Sequence, residues 1–230
     1  MQQLEQLFIN DEFITAQGSE YFDLYNPATA QVIGRVRLAN NEDAYAAIAA
    51  AKAAFGAWSQ TSVEERLAVL GRMRDAMRES EDALREAIVL EYGAPVSRAD
   101  WMARYPADVI EQVMRDLEDF AFTTTVGQAQ VKMTPLGVAG LITPWNSNAG
   151  FICGKLATAL AAGCTAVIKP SEMRALQTQV GMQALHSARL PVGGCNISTG
   201  RGDVGGGTIS GIPDRAEKLL MGCTERTSVG

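Results

Sequence analysis

The spacing of apolar and polar residues changes period along the chain. Near the start, apolar residues come in short runs broken by turn formers. Leu7-Phe8-Ile9 and Phe13-Ile14 flank Asn10-Asp11-Glu12, and the runs Tyr21–Tyr25 and Val32–Val36 flank Asn26-Pro27-Ala28-Thr29. Both arrangements predict strands joined by turns. Further on, Ala44, Ile48, Ala51, Phe55 and Trp58 recur at intervals of four and three, which lays them on one face of a helix. Ser62-Val63-Glu64-Glu65 is a capping box that predicts a second helix to about Met77. A third helix is predicted from about Glu81 to Tyr92, stopped by Gly93 and Pro95, and a fourth from about Ser97 to Leu117. A β-rich stretch follows, from Phe120 to Thr125 and from Gln128 to Met133.

From Leu136 the pattern alternates between strands and helices. Val138–Ile142 reads as a buried strand, Gly150–Ala162 as a helix ended by Gly163, and Thr165–Ile168 as a second strand. Met173–Ala188 reads as a second helix, Asn196–Thr199 as a third strand and Lys218–Met221 as a fourth. Strands alternating with helices of this length predict an α/β fold with a doubly wound parallel sheet. Ligands of such sheets collect at the carboxyl ends of the strands. Three loops fall there: Thr143-Pro144-Trp145-Asn146, Lys169-Pro170-Ser171-Glu172, and the glycine-rich run from Gly200 to Gly207. The first carries an amide able to donate to an oxyanion. The second pairs a cation with a carboxylate, which suits ribose hydroxyls. The third lets the backbone come close to a polar ligand. The common dinucleotide fingerprint does not follow the first strand; its spacing occurs only after the third, as Gly200-x-Gly202-x-x-Gly205.

Composition narrows the function classes. The chain has 230 residues, 47% of them hydrophobic and 20% charged, which is a globular balance with enough apolar material for a sizeable core. A net charge of −6 argues against nucleic acid as a partner, since no basic excess exists to neutralise phosphates. The run from Met133 to Gly154 is uncharged, but Pro135, Pro144, Asn146 and Asn148 interrupt it, and the next uncharged run, Leu156–Ile168, is too short to span a bilayer. No membrane partner is expected. The four cysteines match no zinc spacing, and there is a single histidine, His186. Cysteine usage predicts a reducing, cytoplasmic compartment, and the polar N-terminus does not read as a signal peptide.

The motifs in combination are more specific than any one of them. Thr143-Pro144-Trp145-Asn146, then Ala159-Leu160-Ala161-Ala162-Gly163-Cys164-Thr165, then Lys169-Pro170-Ser171-Glu172 resembles the NAD(P)-dependent aldehyde dehydrogenase superfamily. Tyr25-Asn26-Pro27-Ala28-Thr29, the run from Ala51 to Trp58, and Glu91-Tyr92-Gly93-Ala94-Pro95 resemble its N-terminal part. The resemblance implies oxidation of an aldehyde to a carboxylic acid, with NAD as cofactor and NADP as an alternative. It implies that Asn146 is the oxyanion-hole amide, and that Ile142, Thr143, Pro144 and Trp145 line the nicotinamide-ribose and phosphate side. Lys169 and Glu172 would hold the adenosine ribose, Ser171 would border it, and Gly202 and Gly206 would lie near the adenine end. Residues 1–119 would form the first part of a Rossmann-like cofactor domain, 120–135 an oligomerisation arm, and 136–230 the dinucleotide-binding part. A homo-oligomer is the implied assembly.

The sequence also departs from the family pattern. Ser147-Asn148 replaces the aromatic-proline pair after the asparagine, Ile212-Pro213-Asp214 replaces His-Pro-Asp, and residues 221–230 match the phosphate-contacting loop only loosely. The family's nucleophilic cysteine and general-base glutamate are expected downstream of Gly230. These residues would then supply cofactor binding and Asn146 but not the nucleophile, so that by themselves they are expected to oxidise no aldehyde, and Cys153 and Cys164 read as structural. A catalytically silent dinucleotide-binding or interaction module is the alternative. Arg201-Gly202-Asp203 spells an adhesion tripeptide, discounted because no secretion signal accompanies it, and His186 reads as a helix-terminal or surface residue.

Overall fold

Reciprocal caps fix where the first two long helices begin. In the computed structural model, which describes residues 2–202 and the strand at 217–220, the Asn40 side chain accepts from the Asp43 amide and the Asp43 carboxylate from the Asn40 amide, at 3.1 and 3.0 Å. The second cap, Ser62 with Glu65, is the one the sequence spells out. Helix α1 accordingly spans Asn41–Trp58 and α2 Val63–Glu79. The single helix expected from Glu81 to Tyr92 is two pieces. Helix α3, Glu81–Ala87, runs into a π turn at Ile88–Tyr92, which Gly93 ends in the left-handed region at φ 73°. A π turn admits an extra residue into the helical ladder, and Glu91 within it is buried. Helix α4, Val96–Asp119, is longer than expected and passes through Pro106.

The described strands form three sheets. Strands β1 (Gln2–Leu4), β2 (Gln6–Ile9), β3 (Glu12–Thr15), β4 (Tyr21–Tyr25) and β5 (Val32–Arg37) open the chain. The sequence gives no signal for β1, which pairs parallel to β5 and completes the small sheet β1-β5-β4. Strands β6 (Thr123–Val126) and β7 (Ala129–Lys132) form a separate hairpin with every residue exposed. The third sheet contains β8 (Val138–Ile142), β9 (Thr165–Lys169), β10 (Cys195–Ile197) and β11 (Glu217–Leu220). Its order is β11-β8-β9-β10-β2-β3; the first four strands are mutually parallel, as expected, and the β2–β3 hairpin extends the edge antiparallel. Asn196 reinforces that short edge pairing. Its amide donates to Gly193 and Ala166 carbonyls at 2.7 and 3.2 Å while its oxygen accepts from the Asn10 amide at 2.9 Å.

Both faces of β8 and β9 are covered. On one face Ala47, Ile48 and Ala51 of α1 pack against Val138, Val167, Leu7 and Ile9. Thr165 on this face donates to the Ala51 carbonyl at 2.8 Å. On the other face lie helices α5 (Asn148–Ala161) and α6 (Ala175–Ser187), backed by α2 and α4. Leu141, Ile168 and Ile197 meet Leu156, Leu160 and Leu185 there. Among the described residues, no helix is long and apolar enough to cross a membrane.

Helix α5 approaches α4 closely because it presents glycine at the crossing. A Cβ at Gly150 would lie 2.5 Å from the Tyr105 ring, and one at Gly154 would lie 3.2 Å from a Val109 methyl. Gly56, on the exposed side of α1, has nothing within 4 Å of that position. Gly150→Ala should therefore destabilise the fold by about 1–3 kcal/mol through overpacking. Gly56→Ala should stabilise it by about 0.5–1 kcal/mol through helix propensity. Urea midpoints of the two variants check this, and a shift of the same sign in both would contradict the packing argument.

Candidate active site

Strand register brings two of the predicted loops side by side. In the parallel pairs, Leu220 stands opposite Ile142 and Ile142 opposite Lys169, so β11, β8 and β9 end level with one another. The chain builds outward from β8 through β9 to β10, then returns to place β11 on the other side of β8. The order reverses at β8, and the crevice at such a reversal is where open α/β sheets bind ligands. The Thr143 amide donates to the Lys169 carbonyl at 3.1 Å, and the Ser198 amide to the Ile168 carbonyl at 3.0 Å. These bonds carry the pairing one step past the strand ends.

On the β8 side, Ile142, Thr143 and Pro144 are buried, Trp145 is 39% exposed and Asn146 is exposed. The Asn146 amide makes no hydrogen bond among the described residues, so its donors are available. Thr143 Oγ1 is buried and has no hydrogen-bond partner among the described residues. An orphaned hydroxyl costs about 1–3 kcal/mol, and a polar ligand group at the reversal point would recover it. On the β9 side, Lys169 is buried. Its Nζ donates to the Gly200 carbonyl at 3.0 Å and lies 3.4 Å from the carboxylate of half-exposed Glu172. The cation thus joins the loop after β9 to the loop after β10. Ser171 accepts from the Met173 amide at 3.3 Å and caps the short 3-10 turn Glu172–Arg174 that precedes α6. Gly202 ends the first described segment, two residues past the carbonyl that Lys169 holds; Gly206 and the loop 221–230 lie outside the described residues.

Three buried ionisable residues, on α5, the 3-10 turn and the π turn, carry no assigned role in the sequence reading. Lys155, on α5, has its amine pulled below the usual range by burial. Arg174, at the end of the 3-10 turn, is buried too. Glu91 accepts from the Leu176 amide at 2.8 Å and from the Gln177 amide and side chain at 3.3 Å, so a residue of the π turn caps the start of α6. Only the family motif around Glu91 could have flagged it; an arginine or lysine inside a helical pattern gives no local signal. Among the cysteines, burial pushes the Cys153 thiol up to about 12 and raises that of Cys195 further, and Cys164 is buried as well. The Cys153 and Cys195 thiols, raised in this way, form no thiolate near neutrality and are poor nucleophiles. Among the described residues, no cluster of His, Cys, Asp and Glu could hold a metal ion.

Comparison with known proteins places this arrangement. Residues 13–224 match the family model described as "Aldehyde dehydrogenase family". The chain belongs to that family. Curated relatives include the 3-succinoylsemialdehyde-pyridine dehydrogenase of a Pseudomonas species, 32% identical over 93% of this chain and 45% of the relative. The Escherichia coli succinate-semialdehyde dehydrogenase [NADP(+)] is 32% identical over 96% of this chain and 47% of the relative. Among solved structures, a mutant aldehyde dehydrogenase C of Pseudomonas syringae in complex with NAD+ and octanal superposes with a TM-score of 0.89. It is 35% identical, with 93% of this chain and 44% of that one covered. The chain thus spans slightly under half the length of the family members it matches.

Glu91 should leave a pH signature on the aldehyde dehydrogenase fold. Burial raises its carboxyl from the usual 4.5 to about 7, against the opposing pull of the Leu176 and Gln177 amides and of Arg174. Between those two values the folded protein keeps a proton that the unfolded chain has released. The contribution of this residue to stability is therefore complete below about 4.5 and is lost as pH rises through about 7. Wild type should lose stability relative to Glu91→Gln as pH is raised from about 5 to about 8, followed by denaturant midpoints. A difference between the two proteins that stays constant over that range would show that Glu91 does not titrate there.

Proposed function

We propose that these residues bind the cofactor and supply the oxyanion donor in the oxidation of an aldehyde to the corresponding carboxylic acid, with NAD+ as hydride acceptor and NADP+ as an accepted alternative. The observation that carries this reading is the placement of the exposed Asn146 amide at the end of β8, one strand away from the buried Lys169 and its Glu172 neighbour. The bound dinucleotide supplies the hydride acceptor. The carboxylate of Glu172 and the ammonium of Lys169 suit its adenosine ribose hydroxyls, with Ser171 at the border and Gly202 toward the adenine end. The orphaned hydroxyl of Thr143, with Ile142, Pro144 and Trp145, suits the nicotinamide-ribose and phosphate side. The Asn146 amide donates to the substrate oxygen as negative charge develops on it, which lowers the barrier to forming the tetrahedral adduct. Cys153, Cys164 and Cys195 are buried structural thiols, and the attacking thiolate is assigned to none of them.

The same reading covers organisation. Residues 1–119 and 136–230 form the cofactor domain, and 120–135 an arm that packs on another subunit of a homo-oligomer. The wholly exposed β6–β7 hairpin supports the arm, since an isolated two-stranded ribbon is marginal in water. Free, buried cysteines agree with a reducing, cytoplasmic setting.

Two substitutions in the intact protein test the reading. Asn146→Ala should lower kcat for aldehyde oxidation by about 10²–10³ while cofactor affinity changes little. Loss of cofactor binding with turnover preserved at saturation would overturn the role given to Asn146. Glu172 should favour NAD+, because its carboxylate repels a 2′-phosphate about 4 Å away by roughly 4 kcal/mol at an effective dielectric of 20. With the neighbouring Lys169 offsetting much of this, a preference of about ten- to thirtyfold in Kd is expected. Glu172→Ser should relax it by tightening NADP+. Calorimetric titration of both cofactors at low salt decides the matter, and equal weakening of both by the substitution would contradict it.

A further inference from the structure

We propose that Arg174 is a positioning residue for Asn146, holding the chain on both sides of it. The inference rests on the reading of Asn146 as the donor to the substrate oxygen. Arg174 lies outside the loop it would hold, and its side chain is buried. Its Nε donates to the Trp145 carbonyl at 3.2 Å, the oxygen of the peptide that joins Trp145 to Asn146. Its Nη1 donates to the Glu91 carbonyl in the π turn at 3.1 Å and to the Met173 carbonyl at 2.8 Å. The guanidinium carbon lies 5.0 Å from the centre of the Tyr92 ring and 5.3 Å from that of Trp145, and the two rings are 5.9 Å apart. The Arg174 carbonyl works in the other direction. It accepts from the Asn148 side chain at 3.4 Å and from the Thr178 hydroxyl at 2.9 Å, and the same hydroxyl also accepts from Asn148 at 2.8 Å. Arg174 is therefore tied to the residue before Asn146 and to the second residue after it.

The consequence follows from peptide geometry. A peptide unit is planar, so fixing the Trp145 carbonyl also fixes the amide nitrogen and Cα of Asn146. An amide that stabilises developing charge must already stand within about 0.5 Å of its working position. Asn146 itself is exposed and has no bond among the described residues to hold it there. A guanidinium suits the task because its planar fork serves several carbonyls at fixed angles and stacks near aromatic faces; a lysine ammonium has the charge without the fork.

The test is kinetic and structural, in the intact protein. Arg174→Lys should lower kcat about ten- to hundredfold, part of what the amide itself supplies, with the KM for the dinucleotide changed less than about twofold. Added to Asn146→Ala, the same substitution should lower kcat no further than Asn146→Ala alone, because the donor it positions is already gone. Losses that multiply, or an unchanged kcat in Arg174→Lys, would overturn the proposal. Amide hydrogen exchange gives a reading independent of turnover. Exchange across 143–151 should quicken in Arg174→Lys while 165–170 and 195–199 keep their protection; no change in the first segment, or equal change in all three, would overturn it. Should Arg174→Lys not fold, Arg174→Gln serves in its place with the same expectations. Wild type that oxidises no aldehyde would refute the assigned reaction, and the exchange result would then decide the clamp by itself.

Discussion

A strand buried on both faces can place none of its side chains in water, and β8 and β9 are such strands along their whole length. Every side chain must find an apolar neighbour or an internal polar partner. Alternation along β8 and β9 sends Val138 and Val167 to α1 and Leu141 and Ile168 to α5 and α6. A register slip by one residue would exchange these two sets and turn Thr165 away from the Ala51 carbonyl it now meets. The register of this pair is thus set by both layers at once. With it is set the level at which Ile142 and Lys169 end, and the crevice between them inherits its geometry from the core.

Several polar groups inside that core are arranged so that they support another element. Glu91 offers its carboxylate to the first amides of α6, which a helix start leaves unpaired. The carbonyl of the same residue receives Arg174. Asn148 at the head of α5 reaches the Arg174 carbonyl and Thr178 on α6, joining the two helices that flank the site. Asn196 does the corresponding work at the far edge, where β10 would otherwise hold β2 by little more than the Ile197–Phe8 pair. Losing one partner in such a network leaves others buried without a bond, which is costlier than the net value of the bond itself.

These two kinds of support differ in how legible they are in the sequence. The β8, β9 and β10 strands, the capping box at Ser62 and the helix faces all show as local periodicity or local chemistry, within one or a few residues of where they lie. The Thr143–Asn146 and Lys169–Glu172 loops could be placed together because the parallel alternation implies where strands end. The π turn at Ile88–Tyr92 could not be read, since Ile88-Val89-Leu90-Glu91-Tyr92 has an ordinary helical composition and only tertiary packing widens the ladder there. Strand β1 was illegible for the opposite reason: Gln2-Gln3-Leu4 has no strand composition and is recruited by pairing with β5. Arg174 and Glu91 meet across more than 80 residues of chain, and no local pattern announces a contact of that span.

The site is therefore held in two ways. Lys169 stands where strand register puts it, and its bond to the Gly200 carbonyl adds a link between two loops already anchored by neighbouring strands. Asn146 lies beyond the last bond that register supplies, the Thr143 amide to the Lys169 carbonyl, in a loop whose further ties come from side chains. Backbone register tolerates any substitution that keeps the two apolar faces, because its hydrogen bonds are ones every residue but proline can make. Side-chain ties depend on the residues that make them. The Lys169 side of the crevice should keep its geometry through many sequence changes, whereas the Asn146 side needs a particular partner such as Arg174. That asymmetry suits the division of labour proposed here: ribose hydroxyls can be met by adaptable polar groups, but a charge that develops during reaction is stabilised only by a donor already in place.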